Sequence, residues 1–556
     1  MKKKALFAVC LVLLCLSTAC AGKTEPTEET KVTETPVPTA TEAAAPTAEP
    51  QNENSDFTGE ENMSVDVKEL FTNLKVANGY KGFQDSNPIM TQTYGADPFA
   101  ITYDGRVYIY MTHDVIETDA KGEIKDNGYS KINTIRVVST DDFVNYTDHG
   151  AIKVAGSEGA AKWARNSWAP AACWKNIDGQ DKFFLYFADS GNGIGVLVAD
   201  TPYGPFTDPL GHAIIHRGME NCGNVAWLFD PAVLVDDDGT GYIYFGGGPN
   251  PESAEWPGMG RCAKLSDDMI SIDGPVVKID VPFLFEDSGI HKFNNKYYYS
   301  YCSNFSVDAA GTEKYGFVSG EICVMESENP LGPFVYKERI LKNPGAVFGD
   351  GGNNHHCVFT FNDKWYITYH AQLLSAAQNI RHGYRSTNVN EFEMGEDGTI
   401  GSIKMTKAGV AQLKNVNPYV ENVAASGAIF AGLNAAAADA ESKKAGSGKM
   451  VLSEIETGDY VLVRGVDFGE ASPKKVTVSL RRSGNIEGEC ALKISCDKAF
   501  SEGFCYGLMT KELTEAPVGS FFEMTFDLDK EVTGVQDINF VFVGSGFEVN
   551  SWKFEK

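Results

Sequence analysis

"YGADPFAITYDGRVYIYMTHD", residues 94–114, sets an acid beside a proline, runs into an apolar strand, and turns through Asp104-Gly105 into a second, aromatic strand. An Asp-Gly pair between two such runs is a strong hairpin signal. The unit returns in "DGQDKFFLYFADS" from Asp178, "DDGTGYIYFGG" from Asp237, "FNNKYYYSYCSN" from Phe293 and "FNDKWYITYHAQ" from Phe361, at spacings of about 56 to 74 residues. A second element, "TPYGPFTDP" from Thr201 and "NPLGPFVYK" from Asn329, follows some copies. Few stretches carry a helical period, so the chain reads as all-β. Repeats of this size, each a hairpin plus a further strand pair, suit the four-stranded blades of a propeller, and five copies predict five blades. A large double-sheet sandwich or jelly roll is the other reading, and it accounts poorly for five matching hairpins. In a propeller the inner strands open into one axial pocket, so a polar residue at the start of an inner strand, such as Asp97, faces that axis.

Around this core the 556 residues divide unevenly. Residues 1–20 carry Lys2, Lys3 and Lys4, an apolar run too short to span a bilayer, and small residues before Cys20. That is an export signal of lipoprotein type, with Cys20 as the lipidated residue; plain cleavage or a short anchor is the alternative. Residues 21–64, rich in Thr, Glu, Pro and Ala, lack the apolar side chains needed for a core and read as a tether. The propeller body, residues 65–415, is thus expected outside the cytoplasm, on the cell surface or secreted. A net charge of −27 argues against nucleic acid, and against any membrane contact beyond the lipid anchor, and so favours a neutral polymer as partner. Nine of the twelve cysteines follow the leader without zinc spacing. They read mostly as buried thiols, with bridges among Cys490, Cys496 and Cys505 left open.

Three acids precede apolar strands in corresponding repeats: Asp97 in "YGADPFA", Asp230 in "AWLFDPAVLVDDDG" and Glu286 in "FLFEDSGIHKFNNKYYYSY". Proline restricts the residue before it, which predicts an extended or turn conformation for Asp97 and Asp230. At these residues the chain, from about Val65 to Ser402, resembles glycoside hydrolase family 43, whose members are five-bladed propellers with an Asp, Asp, Glu set in this order. "SWAPAACW" from Ser167, "NVAWLFDPAV" from Asn224, "GGNNHHCVF" from Gly351 and "RHGYRSTNVNEFEMGEDGTI" from Arg381 most resemble its arabinoxylan arabinofuranohydrolase branch. The resemblance implies Asp97 as general base, Glu286 as general acid, and Asp230 as the residue that orients the acid and raises its pKa. It implies Trp168, Trp227, Phe305 and Arg385 as substrate-binding residues, with Arg381 competing for the place of Arg385. It also implies His355, or its neighbour His356, at a structural calcium ion held through water on the propeller axis.

Glycosidic cleavage needs a protonated carboxyl on the leaving oxygen and an ionised one on the opposite face of the sugar. A gap of roughly 6.5 to 9.5 Å between them admits a water and gives inversion. A third carboxylate nearby is expected to keep Glu286 protonated. The expected activity is removal of α-L-arabinofuranosyl groups from arabinoxylan or xylan. A β-xylosidase or an arabinanase uses the same three acids, and a non-catalytic carbohydrate-binding surface protein is the alternative of another class. From 416 to 556 the alternation resumes after an Ala-rich stretch, and "TGDYVLVRGVDFGEASPKKVTVSLRR" with "GVQDINFVFVGSGFEVNSWKFEK" resembles carbohydrate-binding module family 6, a β-sandwich of jelly-roll type. There Glu548 stands in the place of a sugar-binding Asn, beside Trp552.

Overall fold

The computed structural model describes residues 65–250, 252–496, 498 and 500–556. The lipidation site Cys20 and the tether lie outside them. Residues from Val65 to Lys556 form one compact unit, built as a five-bladed β-propeller followed by a two-sheet sandwich.

Each predicted hairpin forms the inner pair of a blade. Blade one holds Ala96–Tyr103, Arg106–Thr112, Thr134–Thr140 and Tyr146–Lys153; blade two begins at Trp168–Ile177, blade three at Ala232–Val235, blade four at Leu284–Phe293 and blade five at His356–Phe361. Four of the five hairpins close through two residues that both have positive φ: Asp104-Gly105 at 46° and 70°, Asp178-Gly179 at 53° and 84°, Asn294-Asn295 at 49° and 59°, and Asn362-Asp363 at 49° and 59°. Two-residue turns of this kind match the right-handed strand twist, and Asp, Asn and Gly are the residues that tolerate them. Aromatic side chains then fill the wedges between blades, as where Phe143 of blade one packs 4.4 Å from Tyr366 of blade five, centroid to centroid.

Blade five has three strands, ending with Ser386–Phe392. The segment before blade one lies along that outer strand: Ile89 donates its N–H to Thr387 O at 3.0 Å, and the buried Asn87 side chain acts as a piece of ladder. Its amide nitrogen donates to Val389 O at 2.9 Å and Thr406 O at 2.8 Å, and its oxygen accepts from Val389 N at 2.8 Å. The segment before blade one therefore closes the ring on blade five.

The sandwich packs a sheet containing Phe547–Glu555, Lys475–Arg482 and Phe521–Asp527 against one containing Tyr460–Asp467, Val535–Val543 and Ala491–Ser495. It is bonded to blade one: Ser426–Gly427 pairs with Tyr146–Thr147, and Asn145 exchanges hydrogen bonds of 2.9 Å with the main chain of Arg464. Val67, Leu70, Phe71 and Phe83, in a segment read from sequence as propeller, pack on sandwich residues including Leu462 and Val541. None of the nine described cysteines from Cys173 onward is joined in a disulfide, so the bridges left open among Cys490, Cys496 and Cys505 are not made. Eight of the nine are buried, and Cys490 and Cys505 serve as small core residues.

Replacing Asn87 by Ala removes three hydrogen bonds at the ring closure and strands the buried Val389 N–H. A loss of about 3 kcal/mol is expected, read from denaturant unfolding; a change under about 0.5 kcal/mol would contradict this closure.

Candidate active site

The inner strands of blades one to four begin with the same distortion. Asp97, Ala169, Asp230 and Asp287 have φ of 47°, 39°, 49° and 68°, and strand register breaks between Ala96 and Phe99, between Trp168 and Ala171, and between Glu286 and Gly289. A bulge of this type re-aims one side chain out of the ladder, here toward the axis. Of the extended and turn conformations expected before proline, the left-handed backbone at Asp97 and Asp230 is a turn conformation. Such a conformation costs roughly 1–3 kcal/mol and persists where surrounding bonds fix it. It corrects the repeat alignment: the blade-four counterpart of Asp97 and Asp230 is Asp287, and Glu286 precedes it by one residue.

The side chains converge on His355. Its Nδ1 stands 3.6 Å from Asp97 and 3.5 Å from Asp287; its Nε2 stands 3.4 Å from Asp230 and 3.5 Å from Glu286. All five residues are buried. Asp287 knits the acids together, since its N–H donates to Asp230 Oδ2 at 2.9 Å and its carboxylate pairs with His356 Nδ1 at 2.6 Å. His356, the alternative to His355, thus faces Asp287 on one side and Ser300 Oγ, at 2.7 Å, on the other. Arg385 Nη1 donates to Asp97 Oδ1 at 2.8 Å, while its Nε and Nη2 grip Asp114 at 2.9 and 2.7 Å. His370 Nε2 faces the carbonyl of Asn353 at 3.0 Å and so carries the proton, leaving Nδ1 to accept the Asp97 N–H at 3.1 Å. Arg381 is tied to Asp350 on the surface, so the place at the site belongs to Arg385.

These contacts divide the carboxyls. Burial works against charge on Asp97, but the Arg385 guanidinium and then His355 outweigh it and hold its carboxyl well below the usual range. Burial pushes Asp230 well above that range, and the neighbouring Glu286 and Asp97 add to the rise against the opposing pull of His355. The strongly raised carboxyl is therefore Asp230. His355 loses proton affinity to burial and regains more from Asp97, Asp287, Asp230 and Glu286, so it is held well above the usual imidazole value, as an imidazolium. Glu286 Oε1 is buried without a hydrogen-bond partner, leaving that atom free for a ligand.

Above the acids lies a cavity of about 100 Å³ walled by Tyr129, Trp168 and Phe229. Trp168 is fixed by its Nε1–H on Tyr129 O at 3.0 Å. Trp227 and Phe305 lie beyond this wall. Ring contacts of 5.2 to 5.4 Å run from Phe229 through Trp227 and Phe285 to Phe305, whose residue is 50% exposed, so they extend the aromatic surface outward from the cavity.

Asp230, Glu286 and His355 have ligand atoms within 4.8 Å of one another, and the cluster suits a cation in charge. A calcium ion beside His355 would be held through water, since each ring nitrogen already faces two carboxylates. Calcium also prefers six to eight oxygens, and direct ligation here would occupy the acids themselves. In the sandwich, Glu548 is buried in an ion pair with Arg481 and accepts from Ser453 Oγ at 3.0 Å. Trp552 packs in the core 5.2 Å from Phe540 and offers no sugar platform.

Asp114, Asp287, His370 and Tyr129 belong to the site without having stood out in the sequence. Asp114 closes the very stretch quoted first, and the Asp-Ser of "FEDSG" repeats the Asp-Pro position with serine for proline.

Residues 86–400 match the family model for glycosyl hydrolases family 43. An arabinoxylan arabinofuranohydrolase from Paenibacillus polymyxa is 46% identical over 494 residues, covering 84% of this chain and 74% of that protein. Another, from Bacillus subtilis strain 168, is 43% identical over 500 residues, covering 85% and 93%. A crystal structure of a family 43 arabinoxylan arabinofuranohydrolase from Bacillus subtilis, in complex with cellotetraose, superposes with a TM-score of 0.78 at 40% identity, covering 87% of this chain and all of that one.

In Arg385→Lys an ammonium cannot hold Asp97 and Asp114 together, and Asp97 gains proton affinity. Because Asp97 is depressed in the folded state, its contribution to stability is present above its unfolded pKa and lost as pH falls through the folded one. The variant is expected to be less stable at neutral pH, and the acid limb of its kcat/KM profile to move to higher pH. An unmoved limb would separate Arg385 from Asp97.

Proposed function

The chain belongs to glycosyl hydrolases family 43, and from that premise we propose that it removes α-L-arabinofuranosyl side groups from arabinoxylan or a related hemicellulose, with inversion at the anomeric carbon. It is a glycoside hydrolase acting on O-glycosyl bonds. The observation that carries the proposal is the placement of Asp97 on the Nδ1 side of His355 and of Glu286 on its Nε2 side. One imidazole stands between base and acid, a separation that suits water-mediated inversion better than direct attack by a carboxylate.

Asp97, held ionised, takes a proton from the water that attacks the anomeric carbon. Glu286 gives its proton to the departing glycosidic oxygen. Asp230, whose own proton is retained, stands within 4.8 Å of Glu286 and limits the negative charge around it. The sugar leaves with a free anomeric hydroxyl and the polymer keeps its own oxygen, so one water is consumed. A cavity of about 100 Å³ favours a single terminal sugar over an internal stretch of chain, and the row from Phe229 to Phe305 offers stacking faces to the polymer. The two relatives described above, which align over 84% and 85% of the chain, are named for arabinoxylan, which favours this sugar over the xyloside and arabinan readings. The leader and tether support a cell-surface or secreted location, with Cys20 lipidated. No step runs through calcium.

Aryl α-L-arabinofuranoside is expected to turn over faster than aryl β-D-xyloside, and Glu286→Gln to lose about 10²- to 10⁴-fold in kcat on arabinoxylan. Proton NMR of the first sugar released should record the inverted anomer. Equal turnover in Glu286→Gln, or a retained anomer, would contradict the scheme.

A further inference from the structure

The propeller axis has a second mouth. Each inner strand runs from the acids toward the opposite face, where a cavity of about 510 Å³ opens, much larger than the catalytic one. Residues from all five blades line it, among them Ala100, Ala172, Val233, Ile290 and Cys357. At about 3.3 Å per residue its rim at Thr102 lies roughly 16 Å along the strand from Asp97. Packed interiors leave few voids larger than a water, and this volume falls in the range of ligand sites, roughly 300–1,000 Å³.

We propose that this opposite mouth is a second, non-catalytic binding site for the end of a short neutral oligosaccharide. Three observations fix the ligand class. Trp174 stands at the rim with 38% of its surface exposed; its Nε1–H is bound to Thr102 O at 3.0 Å and Tyr103 packs edge-on at 5.2 Å, so the indole is held still with a face to offer. A rigid aromatic face is the usual partner of the C–H side of a pyranose. Both lysines at the rim are already paired: Lys292 with Asp236 and, at 2.8 Å, with Asp237, and Lys175 with Asp267, whose Oδ1 lies 3.8 Å from its Nζ and whose carbonyl accepts from it at 3.1 Å. The site therefore suits an uncharged ligand. Every inner strand is also the edge of its sheet, so main-chain N–H and C=O groups face the axis as partners for hydroxyls. The choice of a sugar rests on the hemicellulose reading above; a glycan held on both faces would keep the enzyme on a polymer between cuts. Cys173 and Cys357 in the wall are inert, burial pushing both thiols up, Cys357 to about 12.

The test is isothermal titration of xylotetraose into Glu286→Gln protein, alone and combined with Trp174→Ala or with Thr102→Trp, which fills the mouth. The expected result is one class of site weakened about tenfold by Trp174→Ala and lost in Thr102→Trp. Aryl arabinofuranoside turnover by the two rim variants with Glu286 intact should stay unchanged, which certifies their folding. Identical isotherms in all three proteins would overturn the second site. Because the isotherms need no turnover, that result would leave the reading of the catalytic end to stand or fall on aryl hydrolysis.

Discussion

Four carboxyls converge on one buried imidazole, and the rest of the site follows from how that charge is accommodated. At an effective dielectric of about 20, two like charges 4 Å apart repel by about 4 kcal/mol. Asp97, Asp230, Glu286 and Asp287 around His355 therefore cannot all be ionised without a cation among them. His355 as imidazolium supplies one positive charge and Arg385 another, on the Asp97 side only. The asymmetry divides the roles: the carboxyl beside Arg385 stays charged, and the one facing Glu286 away from it takes a proton.

The fold makes that convergence possible. A radial ring brings residues far apart in the chain to one axis, and a left-handed residue at the head of four inner strands, with a bulge in three of them, turns a side chain inward at the cost of a strained backbone. Blade two spends the same bulge on Ala169, leaving room where a further acid would worsen the repulsion. The ring itself is held shut by the segment before blade one, through Asn87, and braced by the sandwich on blade one.

Much of this architecture was legible because local chemistry enforces it. Asp-Gly, Asn-Asn and Asn-Asp pairs close four of the five hairpins, so those hairpins, and with them most of the blade count, could be read directly. Asp97 and Asp230 were marked by the prolines after them. Asp287 was not, because serine follows it, and the adjacent Glu286 reads as the blade-four counterpart. Asp114, His370 and Tyr129 gave no signal, since what makes them functional is their approach to Arg385 and Asp97 from distant blades. Trp552 illustrates the reverse limit: an aromatic at a strand end reads as a platform or as core alike, and burial alone decides.

The protonation of His355 is the point on which the charge division turns. Nitrogen-15 NMR of histidine-labelled protein, with His355→Gln used to assign its resonance, reads it directly as pH is raised. The account requires the imidazolium signal of His355 to persist well above neutral pH and to titrate earlier in Asp97→Asn. A neutral ring below pH 7, near the ordinary histidine value of about 6.5, would contradict it.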